Sequence, residues 1–160
     1  EGEVFFDAQN GRPAEISLWA DKLNTFVSVA APFKEVAVFS IGSRKAMVEG
    51  EKAVLDVSPF IEPETGRTLM PVRFVSELLG AKVFWLAEDK QVRVIHEEDN
   101  KEILLPVGLA DILLNGEKEE LDCPVKLSGG RTFAPLRFLS EALGAVVLWD
   151  SNTQTITIFR

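Results

Sequence analysis

Tyrosine is absent from the 160 residues, and histidine and cysteine occur once each, as His96 and Cys123. A single cysteine excludes an intramolecular disulfide, so the fold must rest on its core. A single histidine excludes a cluster of imidazole ligands within this chain. The absence of tyrosine excludes any cofactor made from a tyrosine side chain. Basic residues are also scarce: 17 Lys and Arg stand against 25 Asp and Glu, for a net charge of −8. Nucleic-acid binding needs clustered cations that displace counterions from phosphates, so no nucleic-acid partner is expected. No apolar run approaches the roughly 18 residues that cross a bilayer, so no membrane span is expected.

Catalytic motifs are missing as well. There is no Gly-x-Ser-x-Gly and no nucleophile beside a histidine base. "SGGRT" lacks the Lys-Ser/Thr ending of a phosphate loop. The acidic runs "HEEDNKE" and "EKEELD" lack the ligand spacing and central glycine of a calcium loop, and read as solvated turns. With 25 acidic residues, any pairing of carboxylates is uninformative. His96 stands beside Glu97, Glu98 and Asp99, where a solvated strand end is a better reading than a metal ligand. Cys123 reads as a small buried apolar residue rather than a nucleophile. No catalytic residue, metal or cofactor is assigned.

What is present is an ordinary globular composition, 46% hydrophobic and 26% charged, and a long internal repeat. "GRTLMPVRFVSELLGAKVFW" (66–85) returns as "GRTFAPLRFLSEALGAVVLW" (130–149). From Gly66 to Ala81 against Gly130 to Ala145, 11 of 16 positions are identical, at a spacing of 64. Upstream, "IGSRKAMVEGEKAVLDVSP" aligns with "VGLADILLNGEKEELDCP" at a spacing of 66, with Cys123 in the place of Val57. The first copy therefore has two extra residues around "PFIEPET", which marks a surface loop.

Each copy has the same local grammar. "KAMVEGEKAVLDV" reads as a hairpin turning at Glu49-Gly50, matched by Asn115-Gly116; Asn-Gly suits a turn with two positive φ angles. Thr68-Leu69-Met70 is a short extended approach. Pro71 then opens a helix over about 71–79, capped by Gly80, and Pro135 opens one over about 135–143, capped by Gly144. Val72, Val75, Leu78 and Leu79 share one helix face, as do Leu136, Leu139, Ala142 and Leu143. "AKVFWL" and "QVRVIHE" alternate as strands, and copy two ends with "AVVLWD" and "TITIF". "KEILLPVG" is a further strand that leads into the second hairpin. The expected fold class is α+β: tandem small modules, each a β-hairpin, one short helix and further antiparallel strands. The expected boundaries are 36–100 and 101–160.

As for residues 1–35, "LWADKLNTFVSVAAPFKEVAVFSIG" (18–42) can be laid on 74–98 of the first copy at a spacing of 56, so that Leu23 meets Leu79, Asn24 meets Gly80, Val36 meets Val92 and Val38 meets Val94. That alignment makes them a degenerate C-terminal half repeat. The alternative is the tail of an upstream β-domain. The chain opens on "EGEVFF" with no signal peptide, and reads as a trimmed or mature fragment.

The string Gly-Arg-Thr, Pro-x-Arg-Phe, Ser-Glu, Leu-Gly-Ala, x-Val-x-Trp resembles the copper amine oxidase N-terminal domain, or stalk domain, family. The hairpin "IGSRKAMVEGEKAVLDVSP" resembles it too, and the resemblance covers about 36–96 and 102–160. It implies a bacterial, secreted or surface-attached protein in which such modules stand beside other domains. It carries over no catalytic residue: the family's oxidases use three histidine ligands and a tyrosine-derived cofactor, and this chain has neither set.

The repeated polar residues have two readings, structure in each copy or two equivalent ligand sites. Arg73 with Glu77 and Arg137 with Glu141 are four apart, where ion pairs form. Arg67 and Arg131 could bridge loop carbonyls to the helix. Trp85 and Trp149 share one strand position; alternation places Trp85 on the helix-covered face, which favours the core over a platform for a sugar ring. Trp85, Trp149, Arg73 and Arg137 are the candidate ligand-binding residues.

The first expectation is a non-catalytic extracellular or cell-surface module that spaces, displays or assembles neighbouring domains of its own polypeptide. The second is a module that binds cell wall or polysaccharide. Open strand edges make a homodimer by strand pairing a further expectation.

Overall fold

The computed structural model describes residues 34–160 and, before them, the backbone of two strands. The chain divides into two compact units, Glu1–Glu35 and Val36–Arg160. In the first, β1 (Glu15–Ala20) pairs with β2 (Thr25–Ala30) antiparallel, with Glu15 opposite Ala30. The alignment at spacing 56 carries helix onto 18–23, whereas 18–20 belong to β1. The alternation of "EISLWA" is the local reason, since period two suits a strand. The aligned positions Leu23 and Asn24, and most of the half repeat, lie outside the described residues.

The second unit holds two five-stranded sheets, a four-stranded sheet and two short helices. β3 (Glu35–Ser40), β4 (Lys45–Val48) and β5 (Glu51–Val54) open it, followed by β6 (Phe60–Ile61) and β7 (Thr68–Pro71). Next come α1 (Val72–Leu78), β8 (Lys82–Leu86) and β9 (Gln91–His96). The same series then recurs: β10 (Lys101–Pro106), β11 (Asp111–Leu114), β12 (Glu117–Glu120), β13 (Lys126–Ser128), β14 (Arg131–Pro135), α2 (Leu136–Ala142), β15 (Val146–Asp150) and β16 (Thr155–Phe159). The short strands β6 and β13 fall where the sequence reads as loop; two or three residues are too few for a periodic signal.

The hairpin turns follow their residues. Glu49 and Gly50 have φ of 50° and 82°, and Asn115 and Gly116 have 51° and 81°. Two successive positive φ angles define the turn whose twist matches its flanking strands. Both helices are one residue tighter at each end than the sequence implies. Pro71 (φ −56°, ψ 121°) ends β7 and caps α1 from outside, and Pro135 does the same for α2. Gly80 and Gly144 take φ of 86° and 80°. The Gly80 N–H donates to the Glu77 carbonyl (3.0 Å) and the Ala81 N–H to that of Ser76 (2.8 Å), with identical distances at Gly144 and Ala145. This pair of bonds closes the last turn of each helix.

The strand order departs from the expected arrangement of a sheet inside each copy. One sheet runs β12-β11-β10-β9-β8 and the other β15-β16-β3-β4-β5. Each thus joins the hairpin of one copy to the last two strands of the other. β3 occupies the position that β10 has in the first sheet, so residues 36–40 correspond to 102–106 and not to β9. The small sheet β13-β14-β7-β6 ties the copies together at its centre, where β14 and β7 run antiparallel.

One core fills the space between. Val75 of the first helix and Leu79 just after it, Leu139 of the second and Leu143 just after it, Val94 and Ile103 of one sheet, and Phe39 and Ile158 of the other are all buried within it. The helices pack on each other and over β7 and β14, with α1 also on β8 and α2 on β15. Ser76 and Ser140 are fully buried, and among the described residues neither hydroxyl has a hydrogen-bond partner. A hydroxyl buried without a partner costs about 1–3 kcal/mol.

Two substitutions test this packing by chemical denaturation. Glu49→Asn removes a residue ill-suited to φ of 50° and should raise stability by about 0.5–1 kcal/mol. Ser140→Ala removes an unpaired hydroxyl at little change of volume, and should leave stability unchanged or raise it by about 1 kcal/mol.

Candidate functional site

The four candidate ligand residues lie on exposed elements, and the structure does not assemble them into a pocket. Arg73 pairs with Glu77 at 3.2 Å and Arg137 with Glu141 at 3.7 Å, both along a helix surface. Trp85 stands opposite Val92 and Trp149 opposite Ile156, so each does project from the core side of its sheet. Burial does not follow, however: Trp85 is 47% exposed and Trp149 40%. The reason is position. Both sit near the end of strands that form sheet edges, β8 and β15, where no further strand covers the ring. Among the described residues neither tryptophan makes a ring or cation contact. Phe84, on the other face of β8, is 46% exposed beside it.

The opposite edge of the β8 sheet, β12, is polar. All four residues of β12 are exposed, three of them glutamates, which discourages pairing with a like strand. An open depression of about 360 Å³ lies beside the β4–β5 turn, lined by Val48, Glu49, Glu51, Lys52 and Ala53. These are neighbours along one hairpin, and no set of polar groups converges there.

The structure concentrates its repeated polar residues at the junction of the copies. In the β7–β14 pair Met70 faces Ala134, Pro71 faces Phe133 and Leu69 faces Pro135. At spacing 64 these are reciprocal partners, so a local two-fold axis passes between Met70 and Ala134. Arg67 reaches Asp122 at 2.6 Å, and Arg131 reaches Asp56 at 3.0 Å. Each arginine thus crosses to an aspartate of the other copy, rather than bridging loop carbonyls to its own helix. The spacing of 64 for Arg and 66 for Asp was visible in the sequence; that the pairs cross was not.

Beneath these pairs Leu69, Phe133 and buried Cys123 form a second cluster with Val57 and Phe60. The rings of Phe60 and Phe133 meet edge-on at 5.0 Å. Lys126 bonds the buried Glu62 carboxylate at 2.5 Å, and its ammonium lies 5.9 Å from the centre of the Phe60 ring. That hydrogen bond to Glu62 holds the Lys126 ammonium above its ordinary pKa.

His96 is not a solvated strand end. It is 2% exposed, with Nε2 at 3.1 Å from the Leu79 carbonyl and Nδ1 accepting the Asp99 N–H at 3.2 Å. A carbonyl oxygen only accepts, so Nε2 donates to it at the end of α1. The imidazole joins the C-terminus of α1 to the turn between β9 and β10. Its burial follows from alternation in "QVRVIH", which places it on the inward side with Val92 and Val94. The acidic residues after it misled the sequence reading, because they belong to the turn.

Among the described residues no three His, Cys, Asp or Glu side chains are placed to hold a metal ion, and no helix is long and apolar enough to cross a membrane. Replacing His96 by Ala would leave a cavity and an unpaired Leu79 carbonyl. It should cost about 2–4 kcal/mol in chemical denaturation, against less than about 1 kcal/mol for Asp99→Ala, whose side chain is half exposed.

Residues 47–158 match the model of the copper amine oxidase N-terminal domain family, in a single match that takes in both similar segments. No curated protein and no solved structure matches the chain.

Proposed function

We propose that this chain, which belongs to the copper amine oxidase N-terminal domain family, is a non-catalytic module that spaces, displays or assembles neighbouring domains of a bacterial polypeptide. The family is a non-catalytic N-terminal domain of amine oxidases. An extracellular or cell-surface setting is part of the same proposal and rests on the family resemblance. So does the reading of each similar segment as a copy of one module.

One observation supports the architectural role above the others. The arginines that recur in both segments are engaged in pairs internal to the unit. Arg67 and Arg131 hold aspartates of the opposite copy, and Arg73 and Arg137 hold glutamates of their own helix. A ligand site built on Arg73 and Arg137 would instead leave those guanidinium groups free to meet a ligand. The energies are modest, since exposed pairs contribute about 0–1 kcal/mol. They fix how the copies meet more than how firmly they hold.

A second reading has its own observation. Trp85 and Trp149 are half-exposed and equivalent, and exposed tryptophans can stack on sugar rings. Cell-wall polysaccharide is the corresponding partner. The two readings part in tryptophan fluorescence of Trp85→Phe and Trp149→Phe variants, quenched with acrylamide with and without that polysaccharide. The architectural role predicts quenching of both residues that the glycan leaves unchanged. Protection of either residue by the glycan would establish a binder.

A further inference from the structure

We infer that the interface between the two halves of the Val36–Arg160 unit is also a self-association surface, through which two copies of this chain exchange halves. The inference does not depend on the spacing role proposed above.

The argument begins with symmetry. A contact in which residue i meets j while the equivalent of j meets the equivalent of i is self-complementary, the property of a two-fold dimer interface. The junction of residues 36–96 with 101–160 has this property throughout its centre. Leu69 faces Pro135 as Pro71 faces Phe133. Arg67 holds Asp122 as Arg131 holds Asp56. The Val107 N–H donates to the Lys90 carbonyl at 3.0 Å, as the Ile41 N–H does to that of Gln154 at 3.1 Å. Two halves folded from one chain therefore meet as two protomers would.

Connectivity supplies the second step. β9 and β10 are adjacent in their sheet and joined by the turn Glu97–Asn100. β16 and β3 are adjacent in the other sheet with no covalent link. The same strand pairing thus forms in this molecule both with and without a connecting turn. If 97–100 opens into an extended link, the 36–96 half of one chain can take the 101–160 half of another, and the reverse. Every strand pairing, helix contact and ion pair between halves is then remade between chains.

What the closed form alone retains is the turn. Asn100 stands there at φ of 52°, its N–H donates to the Glu97 carbonyl at 3.2 Å, and Asp99 is held by buried His96. The turn is the hinge and His96 is the residue that positions it. Concentration favours exchange, and the free energy of bringing two chains together opposes it. The partner this surface fits is therefore a second copy of this chain.

The test uses the full chain with Cys123→Ala, which removes the buried thiol. One preparation carries Arg67→Cys and another Asp122→Cys. They are mixed, unfolded and refolded together at high concentration, then treated with a short bifunctional thiol reagent. A covalent heterodimer is expected, well above the yield from Arg73→Cys mixed with Asp122→Cys. Equal yields from the two mixtures would overturn the inference. Independently, deleting the four residues 97–100 joins His96 directly to Lys101, so that β9 cannot turn back into β10 and the halves of one chain cannot close. Light scattering should then give twice the chain mass, and a folded monomer would overturn the inference; should that variant not fold, the cross-linking result decides.

Discussion

The antiparallel pairing of β7 with β14 is the constraint from which the rest of the unit follows. Once Met70 faces Ala134, the helices that leave Pro71 and Pro135 must start on the same small sheet and pack against each other. The strands after each helix then emerge beside the opposite copy. That placement produces two sheets of mixed origin around one core. The charged pairs at the axis are too exposed to drive this. Burying Leu69, Met70 and Phe133, at about 1.5–3 kcal/mol each, is the larger effect. The ion pairs select the register in which that burial occurs.

Division of labour between the two faces of the small sheet explains the recurrent polar residues. On one face lie the helices and the main core. On the other, Phe60, Phe133, Leu69 and Cys123 form a thin apolar layer under Arg67–Asp122, Arg131–Asp56 and Lys126–Glu62. Symmetry is broken here, because Lys126 stands where Phe60 stands in the first copy. The ammonium consequently lies by the ring and reaches Glu62. A strict repeat would have placed two aromatic rings or two cations there.

Much of the fold was legible in the residues. Turn chemistry at Glu49-Gly50 and Asn115-Gly116, glycine after each helix and period-two strands all act over a few residues and appear as read, whereas Pro71 and Pro135 stand one residue outside the helices they were expected to open. The α+β class and mostly antiparallel strands follow from them. Of the candidate site, the face of Trp85 and Trp149 was legible from alternation, and the ion pairs of Arg73 and Arg137 from helical spacing. Their exposure was not. Whether a residue on the core side is covered depends on which strand lies beyond it, and β8 and β15 have none.

His96 and the arginines at the axis show the same boundary. The sequence by itself determined the elements, their order and the repeat, because propensity, capping and periodicity are local. Only the tertiary structure decided that strands are shared between copies, that Arg67 meets Asp122, and that His96 is buried against the end of α1. Those outcomes depend on how two similar segments meet. A repeat states that they are alike and leaves open which strand of one lies beside which strand of the other; packing around the β7–β14 axis settles it.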